Sequence, residues 1–362
     1  MNGLPSTMPT TPLLLSSLFD RGTHIQPQNL IIEKIEGGYS SQTYHDHLIS
    51  SKALALALTE NSSSSPRVQR GDRIATFSFN TNRHFTCYHA VPLMGCVLHP
   101  INIRLGPKEI GYILGHAQDV VVIVDAVLLE SFAKVSKEDL RQVRTIIVCG
   151  ENDSPGGWQN TSAAKVLFSK FSNVIDWNDF IGKHVASGRA EMYVWPEDVA
   201  EHSACGMCYT SGTTGNPKGV LYSHRSTYLH TLAMPMKDNH NLGGADVLLP
   251  VVPYFHANGT VSFHNTGVLT VHSLSLTHSL THSLTHSLTY SLTHSLTHSL
   301  THSLTHSLTY SLTHTHTLSL THSLSFFLPH RLGHPLCSAH VRCKNFTQFQ
   351  IYRFQYNSSN GS

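Results

Sequence analysis

The sequence predicts an α/β fold, with parallel-rich sheets sandwiched by helices over residues 1–259 and a disordered low-complexity tail over residues 260–362. Three observations carry that prediction. Strand-like and helix-like segments alternate through the first part of the chain. The strand-like segments, such as Val120–Val124 and Thr145–Val148, are apolar on both faces, which suits a parallel sheet covered by helices on each side. From Leu276 the unit Thr-His-Ser-Leu recurs with period four, and one leucine in four residues is too little to form a dry core.

The elements follow in order. Residues 1–30 read as an irregular lead-in with a short helix near Leu13–Phe19, and residues 42–59 as a helix rich in leucine and alanine. Residues 61–66 form a serine-rich loop ahead of a strand at Arg73–Phe77. A helix over Arg83–Met94 and a strand over Val97–Ile101 come next. Gly106 and Pro107 open another helix, with Ile110, Ile113, Leu114 and Ala117 at one-face spacing. The Val120–Val124 strand leads to a helix near Val127–Val135 and to the strand at Thr145–Val148. Residues 154–157 mark a loop, and residues 176–201 read as a helical link.

Composition excludes several classes. Net charge is +2 with histidine neutral, which gives no electrostatic footprint for nucleic acid, and no apolar run is long enough to span a bilayer. The first charged residue is Asp20, so the lead-in lacks the basic start of a secretory signal and the arginines of a transit peptide. The C-terminal Asn360–Ser362 is not a peroxisomal address. The expectation is an intracellular chain, in the cytoplasm or an organelle matrix. Cys205 and Cys208 have the spacing of half a zinc site, but no second pair matches them, and odd spacing on a strand sends them to opposite faces. Buried core thiols are the expectation.

The chemistry lies at residues 209–219, YTSGTTGNPKG. Gly212, Gly215 and Gly219 let the backbone bring N–H groups close to an anion. Thr210, Ser211, Thr213 and Thr214 add hydroxyls, and Lys218 adds a point charge for a terminal phosphate. Cys205–Tyr209 reads as a strand entering the loop and Gly219–Tyr222 as a strand leaving it. Ser223 reads as the N-cap of a helix over Arg225–Met234, with Leu229, Leu232 and Ala233 on one face. This is not a Walker A loop, because Gly219 follows Lys218 and a strand, not a helix, comes next. A Ser/Thr/Gly-rich turn without a ligand is the plain alternative, which the flanking apolar strands and the placed lysine disfavour.

These residues resemble the phosphate-loop signature of the adenylate-forming enzymes, a group that includes acyl-CoA synthetases, luciferases and peptide-synthetase adenylation domains. Residues 80–105, the SHRST that follows the loop and residues 246–259 resemble the medium- and long-chain fatty-acid–CoA ligases within it. The resemblance covers roughly residues 10–259 and implies the N-terminal large domain of such an enzyme. It implies a two-step reaction in which a carboxylic acid and ATP give an acyl-adenylate, and coenzyme A then displaces AMP. Carried onto this chain, it implies that Ser211, Gly212, Thr213, Thr214, Gly215 and Lys218 grip the phosphates. It also implies that Thr210 seats Mg²⁺ and that His256 lies between nucleotide and acyl pocket. Tyr254 stands where methionine is common. From residue type alone, His256 is a loop histidine after Pro253.

The implied partners are therefore a small-molecule carboxylic acid, ATP with Mg²⁺, and CoA. Two other readings stand beside the fatty-acid ligase. One is another adenylate-former, luciferase-like or an aryl-acid ligase. The other is a non-catalytic protein whose His-rich tail binds metal, since 11 of the 28 histidines lie between His272 and His322. The tetranucleotide CACT, read in triplets, encodes His-Ser-Leu-Thr in every frame. One base change in CAC gives tyrosine, as at Tyr290 and Tyr310. Residues 260–362 are therefore expected to be a translated microsatellite and flanking sequence, entered near Gly259 through a gene-model or intron-translation artefact. The family's later elements, among them a Mg²⁺-binding glutamate, a ribose-binding aspartate and an adenylation lysine, find no match here. Gly37–Tyr39 comes too early to be the nucleotide-binding Gly-Tyr element. The chain is expected to be a truncated fragment, inactive alone.

Overall fold

The computed structural model describes residue 8 and residues 11–35, 37–60, 66–150, 157–210, 216–243, 246–250 and 253–255, together with the backbone of three short strands beyond. Helix α1 (Leu15–Ile25) precedes a hairpin of β1 (Leu30–Ile35) and β2 (Gly38–Thr43), paired antiparallel from Leu30↔Thr43 to Ile35↔Gly38. Helix α2 (Tyr44–Thr59) opens on a capping box: Thr43 Oγ1 accepts from the Asp46 N–H, and the Thr43 N–H donates to the Asp46 carboxylate.

The alternation then begins with β3 (Arg73–Phe77), α3 (Asn82–Leu93), β4 (Val97–Pro100), α4 (Pro107–Ala117) and β5 (Asp119–Asp125). It continues through α5 (Leu129–Phe132), β6 (Thr145–Cys149), α6 (Ser162–Lys170), β7 (Val174–Asp176) and α7 (Trp177–Ala186). The segment closes with β8 (Ala204–Thr210), β9 (Lys218–Ser223), α8 (His224–Ala233) and β10 (Asp246–Pro250).

Seven strands form one sheet in the order β7-β6-β5-β3-β4-β8-β9, parallel throughout except for the β8–β9 pair. All seven residues of β5 are buried, as a strand covered on both faces requires. On one face Ile74, Leu98, Val121, Ile123 and Ile147 join Leu54 and Leu58 of α2, Phe85 and Val91 of α3, and Trp177 and Phe180 of α7. On the other, Ala75, Phe77, Val122, Val124, Ile146 and Val148 meet Ile110, Ile113 and Leu114 of α4, Phe132 of α5 and Leu167 of α6. The result is a helix–sheet–helix sandwich.

The second sheet has the order β12-β13-β10-β11-β1-β2, where β11 (Ser273–Leu276), β12 (Val341–Cys343) and β13 (Ile351–Gln355) are short. These three lie in the part of the chain expected to lack structure. Ser273–Leu276 alternates serine and leucine, and a period of two suits a strand. The rest of residues 260–362 lies outside the described residues, as does the serine-rich stretch 61–65.

Several expectations need correction. The helix near Val127–Val135 is one 3-10 turn (Ala126–Leu128) and the single-turn α5. The 176–201 link is helical only over α7. Helix α1 begins two residues after Leu13 and runs on to Ile25. In α8, Leu229 and Leu232 are exposed at 47% and 39%, whereas His224, Thr227 and Thr231 are buried. The apolar face inferred from spacing is the outer one.

Candidate functional site

The phosphate-loop segment is the connection of a β-hairpin. β8 and β9 pair antiparallel through Met207↔Leu221, Cys208↔Val220, Tyr209↔Gly219 and Thr210↔Lys218. Thr210 and Lys218 are thus the terminal rung, facing each other at the mouth of the loop, and both are exposed. Ser211, Gly212, Thr213, Thr214 and Gly215 lie outside the described residues. Because β8 runs parallel to β4, the loop leaves at the carboxyl edge of the parallel strands, where open α/β sheets hold their ligands.

The hairpin passes directly into α8. Ser223 caps it as expected: its Oγ accepts from the Ser226 N–H at 3.1 Å, and the Ser223 N–H donates to Ser226 Oγ at 3.1 Å. Burial pushes the His224 imidazole down to about 4, so it is neutral at physiological pH.

Gly219 has a role that the motif alone did not give. Its backbone is not in the left-handed region. A Cβ built there would lie 3.2 Å from Cζ and 3.3 Å from Cε2 of Tyr209. A side chain there would crowd the cross-strand tyrosine ring, which would have to give by a few tenths of an ångström. The ring lies against His99 of β4, with centroids 5.2 Å apart, and Tyr209 Oη is 2.6 Å from His116 Nδ1 at the end of α4. Burial raises the Tyr209 hydroxyl to about 12, so it stays protonated.

Beneath that ring lies a fully buried His–Asp pair. His99 Nδ1 donates to the Asp119 carboxylate, at 2.8 and 3.0 Å from its two oxygens. Burial pushes the Asp119 carboxyl upward, and His99 beside it pulls it partly back. Arg73 ties the same corner together. Its guanidinium donates to the carbonyls of Ala117 and Gln118, the last turn of α4, where the helix dipole favours a cation.

The segment leading to His256 reaches the same edge of the sheet. Asn80, just beyond the carboxyl end of β3, accepts from the Tyr254 N–H at 2.8 Å and donates to the Pro250 carbonyl at 3.4 Å. Tyr88 Oη donates to the Tyr254 carbonyl. The Tyr254 ring is buried against His84, Phe85 and Tyr88. Tyr254 is therefore a core residue that anchors its segment. His256 lies outside the described residues.

Sequence reasoning missed Asn80, His99, His116 and Asp119. The signal for two of them was readable, since an aspartate heading an all-apolar strand and a histidine inside another each need a buried partner. Cys205 and Cys208 are buried thiols outside any disulfide, with Cys205 Sγ 3.5 Å from Thr227 Oγ1. Among the described residues, no helix is long and apolar enough to cross a membrane.

Comparison with known proteins agrees with this geometry. The chain is 43% identical over 187 residues to the medium-chain-fatty-acid–CoA ligase of Ectopseudomonas oleovorans, covering 52% of this chain and 31% of that one. It is 36% identical over 259 residues to the long-chain-fatty-acid–CoA ligase of Thermus thermophilus, covering 71% and 42%. The chain thus spans less than half the length of these curated relatives. In fold it resembles the A domain of carboxylic acid reductase from Segniliparus rugosus, solved with AMP and a co-purified carboxylic acid. That likeness has a TM-score of 0.59 and 15% identity, over 75% of this chain and 45% of the other. The family profile described as "AMP-binding enzyme" matches residues 19–298, running past Gly259 into the start of the repeat, and the chain belongs to that family.

Proposed function

We propose that this chain supplies the polyphosphate-gripping part of an ATP-dependent carboxylic-acid–CoA ligase that acts on fatty acids. The observation that carries this reading is the Thr210–Lys218 rung at the carboxyl edge of a parallel sheet, closing a loop of hydroxyls and glycines. Kinship with the fatty-acid–CoA ligases supports the substrate class.

In this reading a carboxylate oxygen of the acid attacks the α-phosphorus of ATP. The new C–O–P link forms as the α–β anhydride breaks, and pyrophosphate leaves. Ser211, Gly212, Thr213, Thr214 and Gly215 offer hydroxyl and backbone donors to the β- and γ-phosphates, where charge builds as the anhydride opens. Lys218 adds a full positive charge at the loop mouth. The Thr210 hydroxyl, exposed on the opposite strand, suits a Mg²⁺ that neutralises phosphate charge. His256 borders the acyl group. The CoA thiol then attacks the acyl carbon and AMP departs.

Residues 1–259 form the functional portion and residues 260–362 an accretion. The chain on its own grips polyphosphate but does not complete adenylation, since the ribose- and Mg²⁺-binding carboxylates and the adenylation lysine find no match in it. Calorimetric titration with Mg·ATP tests the first half. Binding is expected, and Lys218→Ala should weaken it by about tenfold, roughly 1.4 kcal/mol. Equal affinity in the variant removes the reading. Pyrophosphate exchange driven by a fatty acid would overturn the expected inactivity.

A further inference from the structure

In the hairpin that bears the phosphate loop, β8 is held by burial, with Cys205–Cys208 buried and Met207 packed against Val97 and Ala117, whereas β9 has little core behind it. Lys218, Gly219, Val220 and Leu221 of β9 are all exposed, and β9 is the outermost strand of its sheet among the described residues. Burial of β9 therefore does not fix where the tip points, and the side chain next to the loop that reaches other elements is Tyr209. Tyr209 is adjacent to Thr210, and its ring is seated on Gly219 from the opposite strand. Its other contacts belong to different elements: His99, locked by Asp119, and His116, whose ring meets it edge-on with centroids 5.8 Å apart at 86°. His116 in turn stacks on Tyr112 one helical turn earlier, at 5.5 Å and 24°.

We infer that Tyr209 is a positioning residue. Its hydrogen bond to His116, 93 residues away in sequence, clamps the Thr210–Lys218 mouth of the loop to α4, and the loop's grip on polyphosphate depends on that clamp. The inference rests on the phosphate-binding reading of the loop and adds a residue pair to it. Tyr209 and His116 need not touch the phosphates. Their effect is to fix Thr210 and Lys218, the two ends from which the loop springs, before the ligand arrives, so that less ordering has to be done on binding.

The test uses the chain as it stands, with Mg·tripolyphosphate as probe. Tyr209→Phe keeps the ring on Gly219 and removes only the hydroxyl. His116→Ala removes its partner, and His116→Asn returns a polar group near the Nδ1 position. Tyr209→Phe and His116→Ala should each weaken tripolyphosphate binding by about fivefold, the double variant should be no weaker than either, and His116→Asn should recover most of the loss. Hydrogen exchange at the Thr210 and Lys218 amides should speed up in the first two variants, while β5 and β6 stay protected. Unchanged binding, or losses that multiply in the double variant, overturn the clamp. If the unmodified chain holds no tripolyphosphate, the phosphate reading fails by itself. The exchange data then decide the clamp separately, faster exchange at the hairpin supporting it and unchanged exchange ending it.

Discussion

Tyr209 and Gly219 share one rung of the β8–β9 hairpin, and the ring of the first crowds the place where a side chain of the second would stand. A glycine in the middle of a strand usually weakens it. Here it makes room for the aromatic group that fastens the hairpin to α4.

Gly219→Val should therefore displace the ring. The expected cost is about 1–3 kcal/mol, with accelerated hydrogen exchange confined to β8 and β9. Adding Tyr209→Ala should relieve the clash and return part of that loss. A valine variant whose hairpin exchanges at the original rate contradicts the packing.

Asp119→Leu should be far more damaging than its position at a strand end suggests. It leaves the buried His99 Nδ1 without its acceptor, which costs about 1–3 kcal/mol. Urea unfolding measures it. Asp119→Asn, which keeps an acceptor oxygen, should recover part of the loss. A leucine variant as stable as the parent contradicts the buried pair.

Stability should fall on acidification. Burial holds His84 down to about 4 and His89 down to about 3, each partly countered by a backbone carbonyl acceptor. Both imidazoles are neutral in the folded chain and take up protons near 6.5 once unfolded. Below that value the unfolded state binds more protons, so stability is complete above about 6.5 and drains as pH falls toward 4 and 3. The slope is about 1.4 kcal/mol per pH unit for each imidazole. Urea midpoints at several pH values test this, and His89→Gln should flatten the slope. Midpoints unchanged from pH 7 to 4.5 are the contrary result.

Asn80→Leu should loosen the segment before His256. It removes the acceptor of the Tyr254 N–H and the donor to Pro250, at a cost of about 1–3 kcal/mol. Exchange at the Tyr254 amide reports it, and retained protection there would show that Tyr88 alone suffices.

The parallel strands were legible because each is a short apolar run between turn residues. β5 and β6 lie where their valines and isoleucines place them. The loop was legible as a motif, and its hairpin geometry followed from two flanking strands. Helix α8 misled for a physical reason. Its buried face is polar, but Thr231 Oγ1 donates to the Thr227 carbonyl of its own helix, and Thr227 meets Cys205, so burying those hydroxyls leaves little unsatisfied. The β1–β2 hairpin was passed over, although two six-residue runs meet at Gly37, whose φ of +78° marks a turn only glycine adopts readily. The clamp residues were illegible individually. Nothing in His116 or Tyr209 announces a contact made between a helix end and a distant strand.

Helix α8 turns Leu229 and Leu232 outward, and β9 beside it presents Val220 and Leu221 along a strand that has no second neighbour among the described residues. Among the described residues no strand takes up the outer edge of β9, and the leucines next to it shun water. Such a rim is adhesive: it recruits any extended peptide that offers a matching ladder, another molecule of the same kind included. Handling this chain at high concentration will therefore be governed less by its well-filled interior than by one greasy border.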